Sequence, residues 1–136
     1  MWADPARIRT FDTPGKAATA KLIANLTVAV TMQGVVETLR LGHSNELSTA
    51  DILDTLDLTM FAPMKAMKAA NIETGVFTPT QFSAGLLAKD LLLMQHNSDY
   101  ALPAVNAVLE SLLAAIRTGH AEDDFSVLAA PEIGLD

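Results

Sequence analysis

The spacing of apolar residues along the chain predicts helices. From residue 17 to residue 41 these residues recur with the period of one long helix. When the segment is placed at intervals of about 100° per residue, Gln33, Glu37 and Arg40 fall on one narrow polar stripe, and apolar side chains cover most of the remaining surface. The pattern predicts a helix that is surrounded by protein on most sides and that is stopped by Gly42 in the left-handed C-cap conformation.

Four shorter segments also carry helix signals, at residues 48–56, 62–70, 81–96 and 103–118. Ser48 opens the first of them with a sequence that resembles a capping box, and Pro103 suits the first position of the last. Either Thr78 or Thr80 is expected to cap the helix that starts at residue 81. A loop is predicted over residues 72–79, and a last short helix is predicted to begin near residue 123.

These elements predict an all-α fold, a multi-helix domain built around one long buried helix. The exception is the segment 7–11, which alternates polar and apolar residues before a turn signal at residues 12–15. We therefore divide the chain into an N-terminal arm, residues 1–14, and a helical domain, residues 15–136. A length of 136 residues suits one such domain.

The composition narrows the classes of function. A hydrophobic share of 50% is high for a small monomer, which indicates that a partner or a missing domain covers part of the apolar surface. A net charge of −7, with only nine Lys and Arg residues, argues against nucleic-acid binding. The uncharged stretch 22–36 is shorter than the roughly 20 residues that cross a bilayer, so we expect a buried helix and no membrane partner. With no cysteine and no secretory signal, the expected location is cytoplasmic.

Metal and nucleophile chemistry have little support in the sequence. His43, His96 and His120 lie near predicted helix ends without the paired spacing of a metal site, so each is expected to cap carbonyl groups and no metal is predicted. The sequence has neither the G-x-S-x-G pattern of serine hydrolases nor a glycine-rich phosphate loop.

Lys21 stands at the head of an apolar helical row. Asn25 follows it by four residues on the same face, and the row continues through Val28 and Met32. An amine in a weakly polar site can donate or accept a proton near neutral pH. Two interpretations stay open at this point: the Lys21 side chain leaves the first turn towards solvent, or it acts in proton transfer.

Lys89 interrupts the most apolar face of its predicted helix. Phe82, Leu86 and Leu93 occupy the same helical row. The neighbouring Asp90 makes an ion pair with another element available. Lys89 therefore lies either at the edge of an interface or in a functional site.

Together these positions resemble a known family. Residues 15–25 resemble the G-x-G-x-x-x-K-x-x-x-N segment of the β-hydroxyacid dehydrogenases, which include 3-hydroxyisobutyrate dehydrogenase and tartronate semialdehyde reductase. Further matches follow in the family's order at Glu37, Gly42, Phe82, Lys89-Asp90-Leu91, Leu102-Pro103, Gly119 and Asp124-Phe125-Ser126. The resemblance covers residues 10–130. It departs from the motif at the second glycine, where this chain has Ala17.

The resemblance implies the helical C-terminal domain of a 6-phosphogluconate dehydrogenase-like enzyme, within an NAD(P)-dependent oxidoreductase that acts on CH–OH groups. By this similarity Lys21 would be the catalytic acid/base, Asn25 and Phe82 would bind substrate, and Lys89 and Asp124 would contact the cofactor. NAD or NADP would be bound mainly by an N-terminal Rossmann domain that this sequence lacks, so the isolated chain is expected to be inactive. The other expected partners are a small hydroxyacid or carbonyl substrate and a second copy in a homodimer.

Two other functions remain compatible with the sequence. The chain could be a helical dimerisation or interaction module that has kept the fold and lost the chemistry. It could also be the same domain of an imine-reducing relative, although such relatives often lack the lysine that stands here at position 21.

Overall fold

The computed structural model describes residues 12–133, and within them the protein is helical. The helices are α1 (Pro14–Ser44), α2 (Thr49–Leu56), α3 (Ala62–Thr74), α4 (Ala84–Asn97), α5 (Pro103–Arg117) and the 3-10 helix η1 (Phe125–Ala129). The prediction of an all-α domain is confirmed. Of the predicted N-terminal arm, residues 1–11, including the alternating segment 7–11, lie outside the described residues.

The centre of the domain is α1, which packs against α2, α3, α4, α5 and η1. Its middle section supplies Ala29, Met32 and Val35, whose side chains are completely buried. By length and composition alone this helix could cross a membrane, but core helices pass the same test. Its contacts with every other helix make α1 the element on which the fold is built.

The end of α1 differs from the prediction. The expected cap, Gly42, lies inside the helix, which continues to Ser44 and has Asn45 as its C-cap. A Cβ atom at Gly42 would lie 2.4 Å from the Cδ1 atom of Ile52 on α2. The glycine is therefore required by the close approach of α1 and α2, and not by a left-handed backbone.

The polar stripe predicted on α1 faces α5. The Gln33 amide is buried and donates a hydrogen bond of 3.1 Å to Glu37, and the Arg40 guanidinium donates one of 2.7 Å to the carbonyl oxygen of Ile133. Arg117 on α5 lines the other side of the groove that these residues border. The stripe is therefore a boundary between helices, and part of it is withdrawn from solvent.

The boundaries of α2 and α3 follow their capping residues. The Ser48 hydroxyl accepts a hydrogen bond of 3.1 Å from the backbone N–H of Asp51, which confirms the predicted cap of α2. The helix α3 continues to Thr74, four residues beyond the predicted end, and so the predicted loop at 72–79 begins too early. It ends at Gly75, whose φ of 69° is left-handed and favours glycine.

The start of α4 was also predicted wrongly. Neither Thr78 nor Thr80 caps it; the cap is Ser83, and the first helical residue is Ala84. The reason lies in a distant segment, because the backbone N–H of Phe125 donates to the Phe82 carbonyl oxygen at 2.8 Å. This pairing, with the bridge between Ser83 and Asp124, keeps residues 82–83 extended, so that α4 starts later than predicted.

The last elements match the sequence more closely. Pro103 opens α5, and Gly119, with φ of 92°, follows its end. Asp124 caps η1, the short helix expected near residue 123. The most buried large side chains come from α1, α2, α4, α5 and η1, and from Ile133 after η1: Phe125, Met32, Leu53, Leu87, Leu91, Leu112, Leu128, Ile133, Val35, Val105, Val108 and Val127.

Candidate functional site

A partly buried hydrogen bond joins α1 to α4. The Asn25 side chain is 5% exposed, and its Nδ2 atom donates to Asp90 Oδ2 at 2.8 Å. Because an ionised carboxylate only accepts hydrogen bonds, this contact fixes the orientation of the amide and leaves Asn25 Oδ1 as an acceptor. We refer to Lys21, Asn25, Lys89 and Asp90 as the α1/α4 junction.

Two exposed lysines flank this hydrogen bond. Lys21 lies one helical turn before Asn25 on α1, and Lys89 immediately precedes Asp90 on α4. Within residues 12–133, neither ammonium group has a hydrogen bond or an ion pair. The sequence suggested that Asp90 could contribute an ion pair near Lys89, but the Asp90 carboxylate accepts a hydrogen bond from Asn25 instead. The junction therefore presents, on an acidic protein, two lysines that have no partner among the described residues.

The surface of α4 around Lys89 is apolar and open. Leu86 and Leu93, which share its helical row, are 58% and 42% exposed. Exposed leucines on both sides of a lysine form a surface that another domain or chain could cover. This geometry is compatible with both interpretations of Lys89, as a residue at the edge of an interface and as part of a functional site.

The other two predicted residues, Phe82 and Asp124, belong to a different cluster. The rings of Phe82 and Phe125 pack edge to face, with centroids 6.5 Å apart. The Nζ atom of Lys68, on α3, lies 3.0 Å from Asp124 Oδ2 and 4.6 Å from the centre of the Phe125 ring. We refer to Lys68, Phe82, Asp124, Phe125 and Ser126 as the buried polar cluster.

The carboxylate of Asp124 is fully engaged inside this cluster. Its Oδ1 atom accepts from the backbone N–H groups of Gln81 and Phe82 at 3.2 and 3.4 Å, and its Oδ2 atom accepts from the backbone and the hydroxyl of Ser126. Burial by itself would raise the pKa of Asp124, but the Ser126 hydrogen bonds and the adjacent Lys68 outweigh it and lower that pKa below its usual value. Asp124 is therefore a buried anion.

This placement gives Asp124 a structural task. Its side chain is 1% exposed and ties the segment before α4 to the cap of η1. Its expected contact with a cofactor stays a prediction, and the described geometry offers no open face of the carboxylate for such a contact. Lys68 was missed by the sequence analysis, although Met64, Lys68 and Ile72 form an apolar row interrupted by a lysine, the same signal that identified Lys21.

Two of the three histidines, His43 and His120, do not act as predicted. His43 Nε2 lies 3.0 Å from the Thr49 hydroxyl, and His120 Nδ1 lies 2.8 Å from the Asp123 carboxylate, so both contact side chains and not helix carbonyl groups. Among residues 12–133, no group of three or more His, Cys, Asp or Glu side chains is arranged to hold a metal ion.

The sequence and the fold have known relatives. A family model described as the NAD-binding region of NADP-dependent 3-hydroxyisobutyrate dehydrogenase matches residues 15–131. The cytokine-like nuclear factors N-PAC of Drosophila melanogaster and Drosophila pseudoobscura pseudoobscura are each 31% identical over 118 residues. That match covers 84% of this chain and 19% of each relative, so the chain spans about a fifth of the curated relatives it matches.

Two solved structures share the fold. A 3-hydroxyisobutyrate dehydrogenase from Salmonella typhimurium matches 87% of this chain with a TM-score of 0.77 and 21% identity. The protein Psf3, determined in complex with NADP+ and 2-OPP, matches 88% of it with a TM-score of 0.70 and 19% identity. The chain corresponds to 42% and 43% of these two proteins.

Proposed function

This chain belongs to the NADP-dependent 3-hydroxyisobutyrate dehydrogenase family, and on that premise we propose that it is the C-terminal catalytic and dimerisation domain of an NAD(P)-dependent β-hydroxyacid dehydrogenase. A small hydroxyacid or the corresponding carbonyl compound is the substrate. The nucleotide-binding domain is a separate part of the enzyme, because this chain corresponds to 42% of the solved dehydrogenase and has no glycine-rich phosphate loop of its own.

The observation that carries the proposal is the geometry of the α1/α4 junction. The 2.8 Å hydrogen bond between Asn25 and Asp90 holds the two helices together next to Lys21 and Lys89. Structural lysines are normally paired, as Lys68 is with Asp124 at 3.0 Å. Two exposed lysines without a partner among the described residues are instead available to an anionic substrate or to a cofactor phosphate.

In this proposal Lys21 moves the proton. During oxidation of the alcohol, the neutral amine of Lys21 accepts the hydroxyl proton, and during reduction its ammonium donates a proton to the carbonyl oxygen. When bound, a nicotinamide cofactor would provide the hydride chemistry that accompanies this proton transfer. Asn25 positions the Lys21 amine or the substrate hydroxyl through its Oδ1 atom, since its Nδ2 atom is committed to Asp90. This proton and hydride transfer does not require a metal ion.

Lys89 and the leucines beside it have a second task. In the complete enzyme the exposed face of α4 lies against the nucleotide-binding domain, and Lys89 neutralises negative charge on the substrate or the cofactor. Covering Leu86 and Leu93 excludes water from the junction, which strengthens the interactions of the two lysines.

The test is a Lys21→Ala substitution in the polypeptide that includes the nucleotide-binding domain. Removing a general acid/base lowers kcat by about 10²- to 10⁴-fold, while the Kd for NADPH is expected to stay within about twofold. Lys16→Ala is the matched control, because Lys16 is also exposed on α1 but pairs with the exposed Asp12, at 3.1 Å. The control is expected to keep kcat within about twofold.

A Lys21→Ala variant that keeps kcat within a few-fold of the parent would overturn the catalytic assignment. Loss of NADPH binding in the same variant would show that the substitution disturbs the structure and not only proton transfer. Steady-state kinetics and fluorescence titration with NADPH separate these results.

A second candidate function is favoured by the curated relatives, which are named as nuclear factors and not as enzymes. In that case the chain is a helical interaction module without chemistry, and it forms a dimer that binds neither a nicotinamide cofactor nor a hydroxyacid. Isothermal titration of the complete polypeptide with NADPH discriminates the two, since only the dehydrogenase binds it.

A further inference from the structure

About one turn of α1 away from Lys21, α1 and α3 border an open, largely apolar groove. It is lined on α1 by Ala24, Thr27, Val28 and Thr31, and on α3 and the turn before it by Met60, Pro63, Met64 and Met67. We refer to these residues as the methionine groove. The groove meets α1 at Ala24, which is three residues after Lys21 and therefore on the neighbouring turn of the same side of the helix.

The lining gives the groove an apolar character. Its only hydroxyl groups are those of two threonines, and the Thr27 hydroxyl already donates to the Ala24 carbonyl oxygen at 2.7 Å. Three methionines lie on the opposite side: Met64 is buried, Met67 is partly exposed and Met60 is 94% exposed. Flexible thioether side chains adapt to apolar groups of different shape. Lys68, the charged residue next to Met67, points away into the buried polar cluster.

The size of the groove sets the size of a ligand. Its volume is about 310 Å³, which accommodates roughly ten groups of the size of a water molecule or a methylene. Its α1 residues run from Ala24 to Thr31, seven residues further along the chain, so the groove extends for about 10 Å along the helix at 1.5 Å per residue. A single methyl group would leave most of this space to water, whereas an unbranched alkyl group of about six carbons would fill its length.

From this geometry we infer that the methionine groove is a specificity pocket for an elongated apolar substituent of the substrate. The inference rests on the proposed role of Lys21 and goes beyond it: the substrate is a β-hydroxyacid whose reacting hydroxyl lies at Lys21 and whose alkyl group extends between α1 and α3. The α-carbon beside the carboxylate is the position from which such a group reaches the groove.

The first test measures turnover with a series of 3-hydroxypropionates that carry methyl, ethyl, butyl or hexyl groups on carbon 2. Burying one methylene group raises binding by up to about fourfold. We therefore expect kcat/KM to rise by about two- to fourfold for each added methylene, up to the hexyl compound. The enzyme must be the polypeptide that contains the nucleotide-binding domain. A kcat/KM that stays flat or falls along the series, while the methyl compound is turned over, overturns the pocket and leaves the proposed function standing.

An Ala24→Leu variant closes the end of the groove nearest to Lys21. In this variant the ratio of kcat/KM for the hexyl and methyl compounds is expected to fall at least tenfold. The matched control is Ala104→Leu, which places the same side chain on the exposed surface of α5 and should keep both the ratio and the turnover. An unchanged ratio in Ala24→Leu contradicts the inference.

A second measurement does not depend on turnover. With methionine methyl groups labelled by ¹³C, the 2-hexyl compound is expected to shift the signals of Met60, Met64 and Met67 in the 136-residue chain, and the 2-methyl compound is not. Met32 and Met94 are buried outside the groove and serve as internal references. If no compound is turned over but the hexyl compound shifts the groove signals, the catalytic proposal fails and the binding site remains. If the groove signals do not shift, the pocket is refuted. A groove blocked by a second copy would appear in sedimentation as a dimer that Ala24→Leu dissociates, and this result would also refute it.

Discussion

Replacing Lys68 by Met removes the only positive charge that contacts the buried carboxylate of Asp124 within the described residues. The two side chains are 3% and 1% exposed, and Nζ lies 3.0 Å from Oδ2. Methionine retains an unbranched apolar stem of similar length, so the substitution removes the charge with little change of packing. It leaves Asp124 with its hydrogen bonds from Gln81, Phe82 and Ser126 but without a counter-charge.

The magnitude follows from the burial of both partners. Removing one partner of a buried ion pair costs about 3–5 kcal/mol. For a chain of 136 residues, with an unfolding entropy of about 2.1 cal/mol/K per residue, that loss lowers Tm by roughly 10–18 °C. Lys65→Met is the matched control on the same helix, because Lys65 also lies 3.0 Å from a carboxylate, that of Asp57, but in a partly exposed pair whose side chains are 19% and 53% exposed. Its expected cost is below about 1 kcal/mol.

The comparison is made by urea unfolding followed by circular dichroism, repeated from pH 7 to pH 3. Since the pKa of Asp124 is lowered in the folded protein, its contribution to stability is complete above the pKa of an unfolded aspartate and is lost as the pH falls through the lowered value. The difference between the parent protein and Lys68→Met should therefore narrow in acid. A cost for Lys68→Met that equals the cost for Lys65→Met at pH 7 would refute the reasoning.

Three further substitutions test the packing described above. Gly42→Ala places a Cβ atom 2.4 Å from Ile52 Cδ1 and should cost about 1–3 kcal/mol in urea unfolding, with part of the loss recovered in the double variant with Ile52→Val. Asn25→Leu removes the hydrogen bond to Asp90 and should cost about 1–2 kcal/mol, which hydrogen exchange of the α1 and α4 amides would locate; protection equal to that of the parent would contradict the role of this bond. Lys21→Ala, by contrast, should change the unfolding free energy by less than about 0.5 kcal/mol, because the side chain is exposed and without a partner among residues 12–133, and a larger loss would indicate a structural role.

The helices were predictable because the signals that specify them are local. Ser48 caps α2, and Pro103 opens α5, where the sequence places them, since a hydroxyl at the N-cap and a proline at the first position act within one turn. The helical spacing of apolar residues over the length of α1 was an equally clear signal. Its exact end was not, because a glycine after an apolar run suits a left-handed cap and a close helix contact equally well, and only the position of Ile52 decides between them.

The start of α4 also depends on a contact between residues far apart in the sequence. Thr78 and Thr80 have the right chemistry for a cap, but the hydrogen bonds from the segment before η1 hold residues 82–83 extended. That segment lies about forty residues further along the chain, and nothing in the spacing of the sequence indicates the contact. Non-local pairing therefore overrides the local preference, and Ser83 becomes the cap.

The same sequence signal, a lysine within an apolar helical row, occurs at two residues with different environments, Lys21 and Lys68. Lys21 and Lys68 each interrupt a helical row of apolar residues. Lys68 lies in the middle of α3, where η1 covers it and Asp124 pairs with it. Lys21 lies at the start of the third turn of α1, one turn before the partly buried hydrogen bond that joins α1 to α4. A lysine that is covered needs a counter-charge, and once it has one it is unavailable for proton transfer. A lysine at the open end of a row keeps its amine uncommitted, and a second domain can then close over it. The position of the lysine along its helix, and not the apolar row itself, is therefore what separates a structural lysine from a candidate acid/base in this fold.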